Sequence, residues 1–421
     1  MKKQLPHGSW PSPISATFVA EKSSRLAEPT LQCYRGNTRV FWLESLNQEN
    51  GRTTIMLHSN GHSKSLLPAP FSCRSKVHEY GGGSYCVFEN HLYFVAADDQ
   101  RVYQVDIEQA TPKVEAVTPL STLRFADLIT DSTGKRIIAV AEDHKNFNKP
   151  ENFLVCIPIK KSAAQHQSPR KSDLSKIHTI ASGEDFYAYP RLHPDGKQLC
   201  WITWRNPDMP WDKTELWLAE LGDDNQLSNK KQLLKNTPRA SIFQPHWSPK
   251  GELFFVSDAD NWWNIYYISR HELGLQDGKA HKLTQLAAEF ATPLWVFRMQ
   301  TFGFLDADTL IACYTDKGRW HLAKIDLQNP ELLNIQTTDY DDISAICAAQ
   351  NQAVFLAANP SLSPSLAIAT DKINLLIKSQ INIDKKYISL PQAVSFPTSE
   401  NDTAHAFYYP PTNAEAEFSA A

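Results

Sequence analysis

Two stretches of the chain, YPRLHPDGKQLCWITW (189–204) and FQPHWSPKGELFFVSD (243–258), share one layout. Each reads aromatic, Pro (with one residue between them in the second), two residues, x-Pro-x-Gly, then a short apolar strand. A second strand follows each, TELWLAEL (214–221) and WNIYYIS (263–269). A degenerate third copy is FADLITDSTGKRIIAVAEDH (125–144), with Thr133-Gly134 at the turn. Self-similarity at intervals of roughly 45–60 residues is the mark of a repeat architecture. The x-Gly turn supplies the left-handed position of a tight hairpin. The flanking strands alternate and bury their faces against neighbouring sheets. One such sheet cannot cover both its faces. Several stacked radially can, and they hide most strand edges, which is the plan of a β-propeller.

Less regular segments fill the rest of the ring. The sequence predicts an all-β fold, a seven-bladed β-propeller with blades near 31–70, 80–118, 124–159, 178–235, 241–285, 292–337 and 341–390. Six or eight blades are the alternatives, since the first and last match least well. Residues 1–30 are expected to form an N-terminal arm with a short helix, residues 31–395 the propeller, and residues 396–421 an exit segment. Two β-sandwich domains are the competing architecture. No linker-like break other than 160–178 interrupts 31–390, which counts against it.

Composition narrows the functional classes. A net charge of −4 offers no basic surface for nucleic acid. The one basic cluster, KKSAAQHQSPRKSDLSKIH (160–178), is polar and aperiodic and reads as a solvated loop. Seven scattered cysteines without a CxxC suit buried thiols in a reducing compartment. The N-terminus lacks a continuous apolar core, and no run of 18 apolar residues occurs, so a cytoplasmic protein without a membrane span is expected.

Candidate chemistry is sparse. No G-x-S-x-G elbow is present, and no glycine follows Gly318. His58 and His62 in HSNGH have a zinc-like spacing, but Asn60-Gly61 between them reads as a turn, and neither a metal nor a cofactor is expected. VHEYGGGSY (77–85) carries two readings. It is a tight inter-blade crossing near the central channel, or a glycine-lined loop beside a ligand, with Glu79 (and Tyr80 next to it) meeting a positive group such as a peptide amino terminus. Trp204 and Trp211 lie in a Pro-rich connection with Asp212, and Trp262 stands at a turn after SDADN. These are candidates for a ligand or domain interface, whereas Trp217 alternates as blade core. AEDHKNFNKPENF (141–153) is a similar polar loop, with Glu142 and His144.

Together, VHEYGGGSY, IAVAEDH, YPRLHPDGKQLCWITWRNPDMPWDKTELW, SDADNWWNIYY, PLWVFRMQTFGFLDADTLIACYTDKGRW and AFYYPPTN resemble the N-terminal propeller of prolyl oligopeptidase-type (S9) serine peptidases, over about residues 8–413. Within that family they look closest to the acylaminoacyl-peptidase and dipeptidyl-aminopeptidase branch. The resemblance implies a cytoplasmic enzyme whose propeller caps an α/β-hydrolase domain, filters peptide substrates and contacts their amino end. In the family, AFYYPPTN would lead into that domain. The triad, elbow and oxyanion hole have no counterpart in these 421 residues, so no catalytic residue carries over. A truncated peptidase propeller, one half of a split peptidase and a stand-alone peptide- or protein-binding propeller are the resulting expectations. The first two would expose apolar and aromatic groups on the face normally covered by the hydrolase.

Overall fold

The computed structural model describes residues 2–22, 24–146, 148–159, 177–235, 240–276, 278–331, 333–378 and 383–418. Most of the basic cluster, 160–176, lies outside them. Seven four-stranded antiparallel sheets are arranged as a β-propeller among the described residues. Blade 1 runs from Leu26 to Ser65, blade 2 from Tyr85 to Ala116, blade 3 from Leu123 to Ala181 and blade 4 from Phe186 to Leu233. Blade 5 spans Ile242 to Lys282, blade 6 Phe302 to Gln336 and blade 7 Asp342 to Ile377. In every blade the strands follow chain order, so each is a meander. Strand His178–Ala181 pairs with Glu151–Pro158 and completes blade 3, where the sequence pattern had joined residue 178 to the next blade. A four-residue strand beyond a long polar insertion carries too little periodicity to declare its partner.

The two x-Pro-x-Gly motifs make the first hairpins of blades 4 and 5, closed by Gly196 N–H to His193 O at 2.8 Å and Gly251 N–H to Ser248 O at 2.9 Å. Apolar faces interlock between blades. Phe41, Ile55 and Leu57 of blade 1 meet Leu92, Phe94 and Val105 of blade 2. Ile311 and Leu322 of blade 6 meet Ile343 and Phe355 of blade 7. Blades 1 and 7 share no strand. Their seam is closed by side chains, with Leu31, Val40 and Trp42 against Val354 and Leu366.

Where each blade begins, one residue is left-handed: Glu28, Gly83, Asp127, Tyr189, Gln244, Arg298 and Ala345, with φ between 49° and 63°. In blades 1, 3, 4, 5 and 7 this residue sits at a register break in the innermost strand. Such bulges turn side chains and amides sideways, and here they turn them toward other blades. Asp127 accepts from Tyr189 N–H at 2.8 Å and from Arg191 at 3.0 Å. Gln244 accepts from Thr301 N–H at 2.6 Å and donates to Phe302 O at 2.7 Å.

The glycine run of 81–83 is such a crossing. Gly82 bridges Phe297, which lies at the entry to blade 6, across the ring. A Cβ on Gly82 would stand 2.5 Å from Phe297 O, and one on Gly83 would stand 2.5 Å from Asp127 Cα. Gly82→Ala is therefore expected to lower the unfolding free energy by roughly 3 kcal/mol. Gly274→Ala, where a Cβ meets nothing within 4 Å, should change it by less than about 0.5 kcal/mol in the same urea titration.

Glu28 accepts from Ser84 N–H at 3.1 Å and lies near Arg298. Burial pushes its carboxyl from 4.5 up to about 7, against the pull of Arg298. The unfolded chain thus releases this proton near pH 4.5, and the folded chain holds it to about 7. The stability contributed by Glu28 is full at low pH and lost as pH rises through that window, a fall on the order of 3 kcal/mol. Urea midpoints of Glu28→Gln should lack this fall between about pH 5 and about pH 8.

Candidate functional site

All eight residues singled out from the sequence lie on one face of the ring. This is the face where each first strand begins, each fourth strand ends and the second-to-third turns protrude. Glu79 and Tyr80 come from the connection between blades 1 and 2. Glu142 and His144 border the turn of blade 3, Trp204, Trp211 and Asp212 the turn of blade 4, and Trp262 the turn of blade 5.

The first three carboxylate and imidazole groups form one cluster around Arg124. Arg124 donates to Glu79 Oε1 at 2.6 Å and to Lys76 O at 2.8 Å, and its guanidinium lies 3.8 Å from Glu142 Oε2. Glu142 Oε2 also holds His144 Nε2 at 2.6 Å, and Glu142 Oε1 accepts from His78 N–H at 3.2 Å. The Arg124 hydrogen bond keeps the Glu79 carboxyl below the usual range, although that side chain is 75% exposed. The Glu79 carboxylate is therefore ionised and open to solvent. His144 Nδ1 is buried without a hydrogen-bond partner among the described residues. Among the described residues no hydroxyl is hydrogen-bonded to this Glu–His pair, whose bonds hold His78 N–H, His144 and Arg124 in place.

Beside it is an aromatic wall. His78 packs on Phe186, Trp204 and Phe297 with ring centroids 5.0–5.9 Å apart, and its Nε2 is 3.1 Å from Asn152 Oδ1. Burial lowers the His78 pKa, with Glu142 opposing, so the ring is neutral near pH 7. Trp204 stacks on Phe186 and is itself buried, so it backs the site and is not an exposed contact. Farther out, Trp295 links Tyr80 at 5.6 Å and Trp211 at 4.6 Å. Asp212 accepts from Met209 N–H at 2.9 Å and serves the turn. Trp262 stands exposed on blade 5. Sequence reasoning missed Arg124, His78 and Trp295. The last sits in PLWVFRMQ, where only its place just after Pro293 hinted at exposure.

Both chain ends serve the same face. The helix Ala16–Lys22 leans on the second-to-third turn of blade 1, and the Phe407 ring covers Gly318 in that of blade 6. Lys3–Leu5 pairs in parallel with Ala416–Phe418, Lys2 Nζ donates to Asn413 O at 2.8 Å, and His7 stacks on Phe418 at 4.3 Å. Asn413, in the exit segment, is buried and donates to Pro11 O. The hairpin of Gln392–Pro397 and Thr403–Tyr408 is exposed along nearly its whole length. Of the exposed large apolar residues, all but Leu275 and Ile335 belong to this face or to these arms.

Among solved structures, the chain is similar to a Mycobacterium tuberculosis puromycin-hydrolyzing peptidase, with TM-score 0.86 and 29% identity over 99% of this chain and 63% of that one. A puromycin hydrolase aligns with TM-score 0.88 and 27% identity, over the same shares. This is the propeller part of S9 peptidases. Prolyl oligopeptidase B from Galerina marginata shares the fold with TM-score 0.64 and 12% identity, over 92% of this chain and 55% of that one. The chain thus spans less than two thirds of the length of these neighbours. No family model and no curated protein matches it. No described helix is long and apolar enough to cross a membrane.

The exposed aromatics of this face should bind a hydrophobic dye such as ANS. Tyr80→Ser with Trp295→Ser should weaken that fluorescence severalfold, while Leu275→Ser, on the opposite face, leaves it unchanged. Neither set is expected to shift the unfolding free energy by more than about 1 kcal/mol.

Proposed function

We propose that this chain is the substrate-gating propeller of an S9-type serine peptidase of the acylaminoacyl-peptidase or dipeptidyl-aminopeptidase branch, working in the cytoplasm. It covers an α/β-hydrolase domain or chain and does not hydrolyse peptides by itself. The observation that carries this reading is the concentration of exposed apolar groups on the one face that both chain ends reach. A monomer rarely leaves such a face open unless something covers it. The exposed hairpin 392–408 is the natural place for a sheet to continue, since a two-stranded ribbon is barely stable alone.

The carboxylate cluster gives the face its chemistry. Glu79 is ionised and exposed beside the Tyr80, Trp211 and Trp295 rings, an arrangement suited to the free amino end of a peptide bearing an aromatic or apolar side chain. Glu142 and His144 stand behind it and fix Arg124, and through Arg124 the Glu79 carboxylate.

The purified chain is expected to release no p-nitroaniline from aminoacyl or acyl-aminoacyl p-nitroanilides. Turnover that a serine-directed inhibitor abolishes would overturn the non-catalytic assignment. The DNA after codon 421 supplies the second check. A reading frame there that encodes G-x-S-x-G supports pairing with a hydrolase, and its absence favours an independent binding module.

A further inference from the structure

Five of the seven cysteines are buried, and the two that keep exposed surface, Cys33 and Cys347, both lie at the seam between blades 1 and 7. Cys33 is in the innermost strand of blade 1, Leu26–Tyr34, and Cys347 is in the innermost strand of blade 7, Asp342–Ala349. These strands touch along the seam. Leu31 N–H donates to Cys347 Sγ at 3.3 Å. Cys33 follows Leu31 by two residues, so its side chain leaves the strand on the same side as Leu31, whose side chain packs into the seam cluster. Thr38, the register partner of Cys33, donates Oγ1 to Gln352 Oε1 of blade 7 at 3.2 Å. Gln352 in turn pairs with Ala349, two residues beyond Cys347. One cross-seam bond therefore ends on Cys347 itself from two residues before Cys33, and the other starts from the register partner of Cys33. Among the described residues blades 1 and 7 share no strand, so no covalent bond and no blade-to-blade ladder crosses this seam.

We propose that Cys33 and Cys347 form an oxidisable pair whose disulfide closes the ring covalently across this seam. The co-reactant is a low-molecular-weight disulfide such as glutathione disulfide. The more exposed Cys33 loses its proton and attacks one sulfur of glutathione disulfide, expelling one glutathione thiolate and leaving a mixed disulfide on Cys33. The Cys347 thiolate then attacks the Cys33 sulfur and expels the second glutathione. Two protein thiols are oxidised and one small disulfide is reduced to two thiols, the two protons of Cys33 and Cys347 passing to the two expelled glutathione thiolates. Burial raises both thiols above their ordinary range, and a Cys33 thiolate raises Cys347 further. Exchange is accordingly slow at neutral pH and faster in mild alkali. The bond requires the two Cα atoms to lie within about 7 Å. The innermost strands of blades 1 and 7 contact each other along the seam, and formation of the linked peptide reports directly that the two positions come within that range.

The test is incubation of the full chain with glutathione disulfide at mildly alkaline pH, followed by non-reducing peptide mapping and thermal melting. The expected product is one linked peptide joining residues 33 and 347, lighter by two hydrogens and reversed by dithiothreitol, with a melting temperature a few degrees higher. Cys33→Ser and Cys33→Ala should both lose the link and the shift, and Cys73→Ser should keep both. A stable glutathione adduct without the linked peptide, a link between other cysteines, or a link that leaves the melting temperature unchanged would each overturn the proposal. All of these readouts are independent of any hydrolase partner.

Discussion

Five consecutive residues, Phe297 to Thr301, hold the ring together at its axis. Phe297 N–H donates to Gly81 O at 2.9 Å, at the entry to blade 2. Arg298 donates to Tyr85 O of blade 2 and, at 3.3 Å, to Thr30 Oγ1 of blade 1. Met299 O accepts from Tyr189 of blade 4 at 2.7 Å, Gln300 O from Ile346 N–H of blade 7 at 3.1 Å, and Thr301 N–H meets Gln244 of blade 5. Blade 3 joins through Leu128 N–H to Gly83 O at 3.1 Å. With no strand shared between blades 1 and 7, the seam has side-chain packing and few hydrogen bonds, and this hub adds directional bonds at the axis. Left-handed residues cost about 1–3 kcal/mol each. Several of them aim the donors and acceptors that make the hub, so their strain and its cohesion are two sides of one arrangement.

The remaining closure is made by the chain ends. The parallel pairing of Lys3–Leu5 with Ala416–Phe418, the Lys2–Asn413–Pro11 bonds and the His7–Phe418 stack tie the two arms that leave blades 1 and 7. Ring integrity thus rests on three contacts of different character: polar bonds at the axis, the Leu31–Trp42–Val354–Leu366 packing in the seam, and the clasp above the face. Arg298 and Glu28 link the first of these to the seam, because blade 1 contributes both Thr30 and Glu28 to the hub.

The sequence made the blade count and the tight turns legible because those are local. A hairpin needs only a few adjacent residues, and His193–Gly196 and Ser248–Gly251 announce it. The glycine run was also readable as a crossing, since three adjacent glycines leave few other reasons to exist. Its partner was not. Phe297 lies more than two hundred positions from Gly82, and a Phe in PLWVFRMQ looks like any apolar loop residue. The same limit explains the tryptophans. Trp204 and Trp295 both sit in loop-like segments, and only three-dimensional packing makes the first a buried backing for His78 and the second an exposed ring between Tyr80 and Trp211. Arg124 was hidden because a strand arginine carries no pattern, although it organises Glu79 and Glu142 into one site.

The hub also bears on how a substrate could approach. The family resemblance implies a propeller that filters peptides, and a filter through the axis would need an open bore. Here Gly82 and Phe297 meet backbone to backbone near the axis, with Gln244, Asp127 and Tyr189 buried around them. A peptide cannot pass where two main chains already touch. Opening that point would break the Phe297–Gly81 bond and disturb the bonds of Arg298 and Met299 on either side, which are those that join blades 1, 2, 4 and 6. The carboxylate and aromatic site instead opens on the face itself, with Glu79, Tyr80 and Trp295 as its most exposed members. On the proposed gating role, size selection belongs to the gap between that face and whatever covers it, which the arms and the hairpin border.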